Sequence, residues 1–170
     1  MSRTLPRILV GLATTAVVIA STLAVASPAQ AATHFGIRNY KSALCMSVSG
    51  GGSTANGAQM VQWSGGDCDD APERIWHWSG ARLVNDKSGK CLSVGGGGST
   101  ANGAAIIQWS CNGGAEQNWD SSGGYLVNGK SGKVVSVEGA SVDVGARMVQ
   151  WSKNGGAEQG WLFINLYIDA

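Results

Sequence analysis

Short apolar segments alternate with runs of Gly, Ser and Asn through most of the chain. Segments such as Met60-Val61 and Ala105-Ile106-Ile107 are bounded on both sides by turn-forming residues. No helical periodicity of useful length occurs after residue 32. The pattern therefore predicts an all-β protein of many short strands. Its tightest turns, with positive φ, are expected at Gly50-Gly51-Gly52, Gly95 to Gly98 and Asn112-Gly113-Gly114.

The N-terminus has a different pattern. Two arginines precede an apolar run over residues 8–26, which Ser27-Pro28 ends, and Ala29-Gln30-Ala31 carries the small residues of a cleavage site. We therefore predict a signal peptide over 1–31, secretion to the extracellular space and a mature domain over 32–170. An uncleaved membrane anchor is the alternative, because the run approaches the ~20 residues of a bilayer span.

One unit is repeated three times in the mature region. Gln-Trp pairs occur at Gln62, Gln108 and Gln150, and each follows a Gly-rich stretch and precedes a Glu-x-x-Trp segment. The units cover approximately residues 34–79, 80–122 and 123–170. Because only three units are present, we expect one domain with internal symmetry.

Each unit predicts about four short strands. A four-stranded unit of this length is also typical of a propeller blade, but a propeller needs at least about four blades to close. Three units instead close as a β-trefoil, sharing one core around a pseudo-threefold axis. The recurring Trp76, Trp119 and Trp161 are predicted to form that core.

The cysteines follow the repeat. Four cysteines in an exported chain of this size favour disulfides over metal binding or redox chemistry. The alignment pairs Cys45–Cys68 and Cys91–Cys111, while Val134 and Lys153 stand at both equivalent positions of the third unit. The third unit is therefore predicted to lack a bridge.

Composition excludes several classes of function. Two of the 12 basic residues and none of the 11 acidic residues lie in 1–31, which leaves 10 basic against 11 acidic residues and a net charge of −1. No basic field for nucleic acid or an anionic membrane is present, so neither is expected as a partner once the signal peptide is cleaved. His34 and His77 alone suggest no triad or metal centre, so no cofactor or metal is expected. Asp67, Asp69 and Asp70 could hold Ca²⁺, but such loop acids are more often merely solvated.

Four stretches of the second unit resemble the ricin-type lectin repeat. They are Cys91-Leu-Ser-Val, Ser99-Thr-Ala-Asn-Gly103, Gln108-Trp109-Ser-Cys111-Asn-Gly-Gly and Gln117-x-Trp119. The resemblance covers residues 34–170. It implies a β-trefoil in which each repeat can carry one shallow site for galactose, xylose or related sugars.

The indole faces of Trp63, Trp109 and Trp151 are the candidate sugar platforms, because an aromatic face packs against the C–H face of a sugar ring. The alternative is that they are core or rim residues. The second repeat is expected to carry the best site, the third the next and the first the most altered one. The candidate binding residues are Ser93, Asn102, Gln108, Trp109, Asn112, Glu116 and Gln117 in the second repeat, and Ser136, Gln150, Trp151, Asn154, Glu158 and Gln159 in the third.

The chain departs from the family pattern at two positions. Sugar-competent repeats carry an Asp where Ser47, Ser93 and Ser136 stand, and a hydroxyl is a weaker acceptor than a carboxylate. The Gln that usually lies two residues before the aromatic lies immediately before it here, so these glutamines either bind sugar through a bulge or satisfy buried backbone groups. The glutamates before Gln-x-Trp either replace part of the missing Asp or are solvated turn residues.

These features predict a secreted, monomeric carbohydrate-binding module without catalytic activity. The alternative is a trefoil with decayed sugar sites that binds or inhibits a protein. Enzymatic activity is the weakest hypothesis, because no pair of carboxylates is positioned by the sequence for acid–base chemistry.

Overall fold

The computed structural model describes residues 33–166, and the predicted signal peptide lies outside them. The described residues belong to one compact unit. Twelve strands follow one another within 33–166: β1 His34–Asn39, β2 Cys45–Val48, β3 Met60–Trp63, β4 Ile75–Ser79, β5 Arg82–Asn85, β6 Cys91–Val94, β7 Ile106–Trp109, β8 Trp119–Ser122, β9 Tyr125–Asn128, β10 Val134–Val137, β11 Met148–Trp151 and β12 Trp161–Leu166.

Single helical turns connect some of these strands. They are α1 Ser49–Gly52, α2 Gly95–Gly98, and four 3₁₀ turns at Pro72–Arg74, Ala115–Gln117, Glu138–Ala140 and Ala157–Gln159. None of the helices in this described part is long and apolar enough to cross a membrane.

Six strands form a closed ring. β12 pairs with β1, β1 with β4, β4 with β5, and β8 with β9. The two remaining junctions are joined by backbone hydrogen bonds from Trp119 to Ala81 and from Trp161 to Gly124, each 2.8 Å long. The ring thus contains two strands from each repeat.

The other six strands form three hairpins, β2–β3, β6–β7 and β10–β11. Single bridges between Gln59 and Ile107, Val61 and Arg147, and Ala105 and Val149 link each hairpin to the next. Three four-stranded units around a pseudo-threefold axis are a β-trefoil, so the predicted all-β fold is confirmed.

One asymmetric side chain lies where the three hairpins meet. The amide nitrogen of Gln59 donates to the backbone carbonyls of Met60, Ile106 and Met148, at 3.0, 2.9 and 2.8 Å. These carbonyls occupy equivalent positions at the starts of β3, β7 and β11. Because an NH₂ group carries two hydrogens, a single amide group shares its two donors among one backbone acceptor from each repeat.

The core contains the three recurring tryptophans that the sequence assigned to it. Trp76, Trp119 and Trp161 are 0, 4 and 1% exposed. The indole nitrogens of Trp119 and Trp161 donate to the carbonyls of Leu92 and Val135, which lie on the neighbouring hairpins. These two bonds join the ring of strands to the hairpins, so Trp119 and Trp161 both fill the core and orient its two layers, whereas the buried indole nitrogen of Trp76 has no partner among the described residues.

Both predicted disulfides form, Cys45–Cys68 and Cys91–Cys111. In the third repeat Val134 is buried and the ammonium group of Lys153 lies 3.8 Å from the ring centroid of Tyr125. A cation–π contact thus stands where the other repeats have the second cysteine of a bridge.

Candidate functional site

Each repeat contains a shallow pocket built from the same elements. The pockets have volumes of about 400 Å³ in the first repeat and about 270 Å³ in each of the others. Every pocket is lined by a Ser and a Val from the first strand of the hairpin, the turn that follows, a Trp from its second strand, and a Glu from a 3₁₀ turn. The predicted Ser, Trp and Glu residues are therefore brought together in all three repeats.

The platform tryptophans are half-exposed, unlike the core set. Trp63, Trp109 and Trp151 are 44, 42 and 43% exposed. One ring edge of each lies against a glycine of the neighbouring repeat, at Gly145, Gly57 and Gly103 respectively. Because this edge is held while a face stays open to solvent, the indole is positioned for stacking.

The polar groups of each pocket are a serine and a glutamate. Ser47, Ser93 and Ser136 are almost fully buried, and a pocket opens above each of them. Glu116 and Glu158 are half-buried, and neither forms an ion pair with any residue of 33–166. Their carboxylates therefore keep their acceptor capacity for a ligand.

The glutamate of the first repeat is engaged differently. Lys87 lies 3.3 Å from the carboxylate of Glu73 and also donates to the backbone carbonyl of Gly51 at 3.1 Å. The first pocket is the largest, but its carboxylate is already paired with a cation. Chemistry rather than volume therefore distinguishes the second and third pockets as the better candidates.

The wall of each pocket is a left-handed turn. Gly50, Gly51 and Gly52 have φ of 66, 66 and 76°, which side chains rarely adopt. The equivalent glycines Gly96 to Gly98 have φ of 63 to 75°. The expected positive φ is thus present in both turns, although Gly95 itself lies outside the left-handed region.

A lysine from another repeat fastens each wall. Besides Lys87, Lys130 donates to the carbonyl of Gly97 at 3.4 Å and Lys41 to that of Ala140 at 2.6 Å. These lysines are not among the site residues predicted from the sequence. Their regular position two residues after Asn39, Asn85 and Asn128 is the signal that could have revealed them.

The glutamines before the platform tryptophans face away from the pockets. Gln108 is fully buried, accepts from Ser88 at 2.8 Å and donates to the carbonyls of Ser53 and Ala55 at 2.7 and 3.0 Å. Gln150 makes the equivalent contacts with Ser131, Ser99 and Ala101. Of the two roles considered above, these side chains perform the structural one: they satisfy backbone groups and join neighbouring repeats.

The glutamines of Gln-x-Trp are structural in the same way. Gln117 is fully buried, accepts from the amide of Asn112 and donates to the carbonyl of Ser110. Gln159 repeats this with Asn154 and Ser152. Each glutamine closes the loop that carries its pocket's glutamate, so its contribution to a ligand would be indirect.

Asn112 and Asn154 do line the pockets of their own repeats. Their side-chain oxygens accept from the amides of Gly114 and Gly156 at 2.8 and 2.7 Å. The side-chain NH₂ groups donate to no protein acceptor in the described region, so each can donate to a ligand hydroxyl.

Asn102 lies beside the third pocket and not beside the second. Its side-chain oxygen accepts from the amide and the hydroxyl of Ser152, at 3.0 and 3.1 Å, next to Trp151. Asn56 of the first repeat makes the same contacts with Ser110, next to Trp109. Each loop therefore serves the following repeat, and Val144, which replaces this Asn in the third repeat, affects the first pocket.

Two of the three loop acids that could hold Ca²⁺ form ion pairs instead. Asp67 lies 3.2 Å from Arg38, and Asp70 pairs with Arg74, which stands where the other repeats carry Gln117 and Gln159. Arg74 thereby replaces the loop-closing glutamine by an ion pair.

A symmetric β-trefoil with a half-exposed indole, a serine and a carboxylate in each repeat has the architecture of a lectin-type binding domain. Residues 33–161 match the family described as "Ricin-type beta-trefoil lectin domain". The chain belongs to this family.

Solved structures show the same β-trefoil fold. The designed three-fold symmetric protein ThreeFoil is 34% identical at a TM-score of 0.70, with 78% of this chain and 99% of that chain covered. The exo-β-1,3-galactanase 1,3Gal43A from Clostridium thermocellum is 31% identical at a TM-score of 0.70, with 79% of this chain but only 30% of that chain covered. The C-half of the earthworm R-type lectin, in complex with GalNAc, is 14% identical at a TM-score of 0.68, with 79% and 99% covered, and this likeness shows the fold alone. No curated protein sequence matches.

Proposed function

We propose that the chain is a secreted, non-catalytic carbohydrate-binding module that holds galactose-type or xylose-type sugars in its second and third pockets. The observation that carries this proposal is the threefold recurrence of one constellation: a half-exposed tryptophan, a buried serine and a glutamate. Packing explains the buried tryptophans, but it does not explain why the platform tryptophans stay exposed beside polar groups.

A sugar ring would bind with its C–H face on the indole and its hydroxyls toward the serine and glutamate. In the second pocket Glu116 would accept hydrogen bonds from hydroxyls and Asn112 would donate one. Because an ionised carboxylate makes hydrogen bonds about twice as strong as a neutral acceptor does, Glu116 would replace part of the missing Asp. Glu158 and Asn154 would act in the same way in the third pocket.

The choice of galactose rests on one relative. The exo-β-1,3-galactanase is 31% identical over 79% of this chain, and its name refers to a galactose polymer. The xylose alternative rests on the resemblance to the ricin-type family alone. The two disulfides support secretion, because such bridges persist in oxidising compartments.

Weak sites would act together on a polymeric ligand. The pockets are arranged around the pseudo-threefold axis and thus face different directions. One monomer would therefore bind two chains of a polysaccharide or cell surface, or two distant parts of one chain. Once either of the two binding pockets is occupied, binding at the other becomes intramolecular, which raises the overall affinity without new contacts.

The test is retention of oxidised residues 32–170 on immobilised galactose, galactan, xylan and chitin. Trp109→Ala and Trp151→Ala are compared with Leu162→Ala, because Leu162 is 43% exposed but lines none of the three pockets. Folding of every variant is checked by near-ultraviolet circular dichroism. We expect retention on galactose or xylan, about tenfold weaker binding in each tryptophan variant, equivalent to about 1.4 kcal/mol, and no change in the leucine variant.

Two outcomes would refute the proposal. If the folded wild type is not retained on any of the matrices, serine in place of the family's Asp has abolished sugar binding, and a protein partner becomes the better hypothesis. If wild type is retained and both tryptophan variants are retained equally, the sugar binds elsewhere on the molecule.

A further inference from the structure

The chain's two histidines lie side by side with a shared aspartate. His34 on β1 pairs with His77 on β4 in the sheet register, and their ring centroids are 5.3 Å apart. The carboxylate of Asp86, directly after β5, lies 2.5 Å from Nδ1 of His34 and 2.6 Å from Nδ1 of His77. Ligand atoms from all three residues lie within 4.8 Å of one another.

The β-trefoil does not require this cluster. The cluster lies at the junction between the first and second repeats. Aligning the repeats on their core tryptophans and on Asn39, Asn85 and Asn128 identifies the equivalent positions at the two other junctions between repeats. They are occupied by Gly80, Asp120 and Gly129, and by Gly123, Leu162 and Tyr40. Two junctions therefore form without any histidine, and the third concentrates both histidines of the chain around one carboxylate.

The donor set suits a divalent transition metal. Imidazole nitrogen and carboxylate oxygen are standard Zn²⁺ ligands, with bond lengths of about 2.0–2.2 Å. A tetrahedral ion with such bonds separates its ligand atoms by about 3.3 Å. The N···O distances of 2.5 and 2.6 Å go to the two different oxygens of Asp86 and would each open by less than 1 Å, and all the ligand atoms already lie within 4.8 Å of one another.

Exposure of the cluster is intermediate. The side chains of His34, His77 and Asp86 are 28, 26 and 16% exposed. An ion held there would keep at least one coordination position for water, while the carboxylate remains shielded enough to be held in place. None of the three residues lines a sugar pocket.

We propose that His34, His77 and Asp86 form a three-ligand site for a divalent transition-metal cation, with Zn²⁺ as the probe. In the metal-free protein the carboxylate accepts from the Nδ1–H of each imidazole. In the metal-bound protein each neutral ring carries its proton on Nε2, so that Nδ1 is free to coordinate. The bound ion ties the start of β1 and the middle of β4 to the end of β5, so it stabilises the folded state through mass action.

The test titrates Zn²⁺ by calorimetry into chelator-treated, untagged residues 30–170. The chain begins at Gln30 because a chain beginning at Ala32 would place His34 third from a free amine, an arrangement that binds Cu²⁺ and Ni²⁺ without Asp86. The variants are Asp86→Asn and His77→Gln. Asp120→Asn is the matched control, since it makes the same charge change at the second repeat's equivalent of His77. Co²⁺ absorption in the visible region reports the coordination geometry.

We expect one Zn²⁺ per chain, binding that is about tenfold or more weaker in Asp86→Asn and His77→Gln, and unchanged binding in Asp120→Asn. The midpoint of thermal unfolding should rise with Zn²⁺ in wild type and control only. Absence of binding to the folded wild type would overturn the proposal and leave a hydrogen-bonded His–Asp–His brace. Binding that survives in Asp86→Asn would overturn it as well. Sugar retention plays no part in this readout, so the two proposals fail separately.

Discussion

Asn102 accepts two hydrogen bonds from Ser152, a residue 50 positions later in the chain. The contact joins the loop of the second repeat to the platform strand of the third. Asn56 and Ser110 form the same contact one repeat earlier. Each binding pocket is consequently a product of two repeats, with the platform from one and its support from the other.

Replacing Asn102 by Val should impair the third pocket and spare the second. The substitution copies Val144 and removes the acceptor beside Trp151, so the indole loses support and affinity there should fall several-fold. Indole N–H signals of Trp109 and Trp151, followed by NMR during a galactose titration, measure the two pockets separately. Asn56→Val is the matched control and should shift the loss to Trp109. A loss at Trp109 in Asn102→Val would contradict the crossed arrangement.

Gln108→Leu should destabilise the fold. The substitution leaves the part-buried carbonyls of Ser53 and Ala55 and the hydroxyl of Ser88 without the side chain of the fully buried Gln108 as their partner. Unsatisfied buried groups cost about 1–3 kcal/mol each, and partial relaxation suggests a total of about 3 kcal/mol. Urea denaturation measures the free energy of unfolding. Asn165→Leu, at an exposed position on β12, is the control and should change it by less than about 0.5 kcal/mol.

Neutralising the pocket glutamates should have unequal effects. Glu116→Gln and Glu158→Gln replace unpaired carboxylates by weaker acceptors, so sugar affinity should fall by about tenfold in the affected pocket. Glu73→Gln should have little effect on retention, because Glu73 is already paired with Lys87. Retention on the immobilised sugars measures these effects. Equal losses of affinity in all three variants would show that the first pocket binds sugar even though Glu73 is paired with Lys87.

Removing either disulfide should lower stability by a similar amount. The bridges span sequence separations of 23 and 20 residues, and chain-entropy estimates give about 3 kcal/mol for loops of this size. Cys45→Ser with Cys68→Ser and Cys91→Ser with Cys111→Ser are compared by urea denaturation under oxidising conditions. Reductant should lower the free energy of unfolding of the wild type by the sum of the two losses. A loss far below that of either double variant would indicate that the loops are ordered without their bridges.

Sequence alone predicts the fold well because the repeat is a local signal. The strands, the core position of Trp119 and the pairing of Cys91 with Cys111 all follow from aligning three units, and each depends on residues within one unit. The prediction that Trp109 stays accessible and that Ser93 and Glu116 stand beside it follows from the family resemblance.

What the sequence could not supply is the contact between repeats. Adjacency in the chain groups Asn102 with its own repeat, whereas its partner Ser152 lies 50 residues later. The buried position of Gln108 depends on Ser53 and Ser88, which lie in separate loops. His34 and Asp86 are likewise brought together only when the ring of strands closes, so their spacing carries no recognisable motif.

The side-chain amide of Gln59 breaks the threefold symmetry of the sequence at one position. Only one side chain can occupy the centre where Met60, Ile106 and Met148 present their carbonyls. The corresponding residues, Ala105 and Arg147, leave that centre free. A chain with three copies of the first repeat would bring three glutamines into a space that holds one. A chain with three copies of the second repeat would leave the three central carbonyls without this side-chain donor. In this chain, the point where the three repeats meet is therefore served by one residue that breaks the symmetry of the sequence.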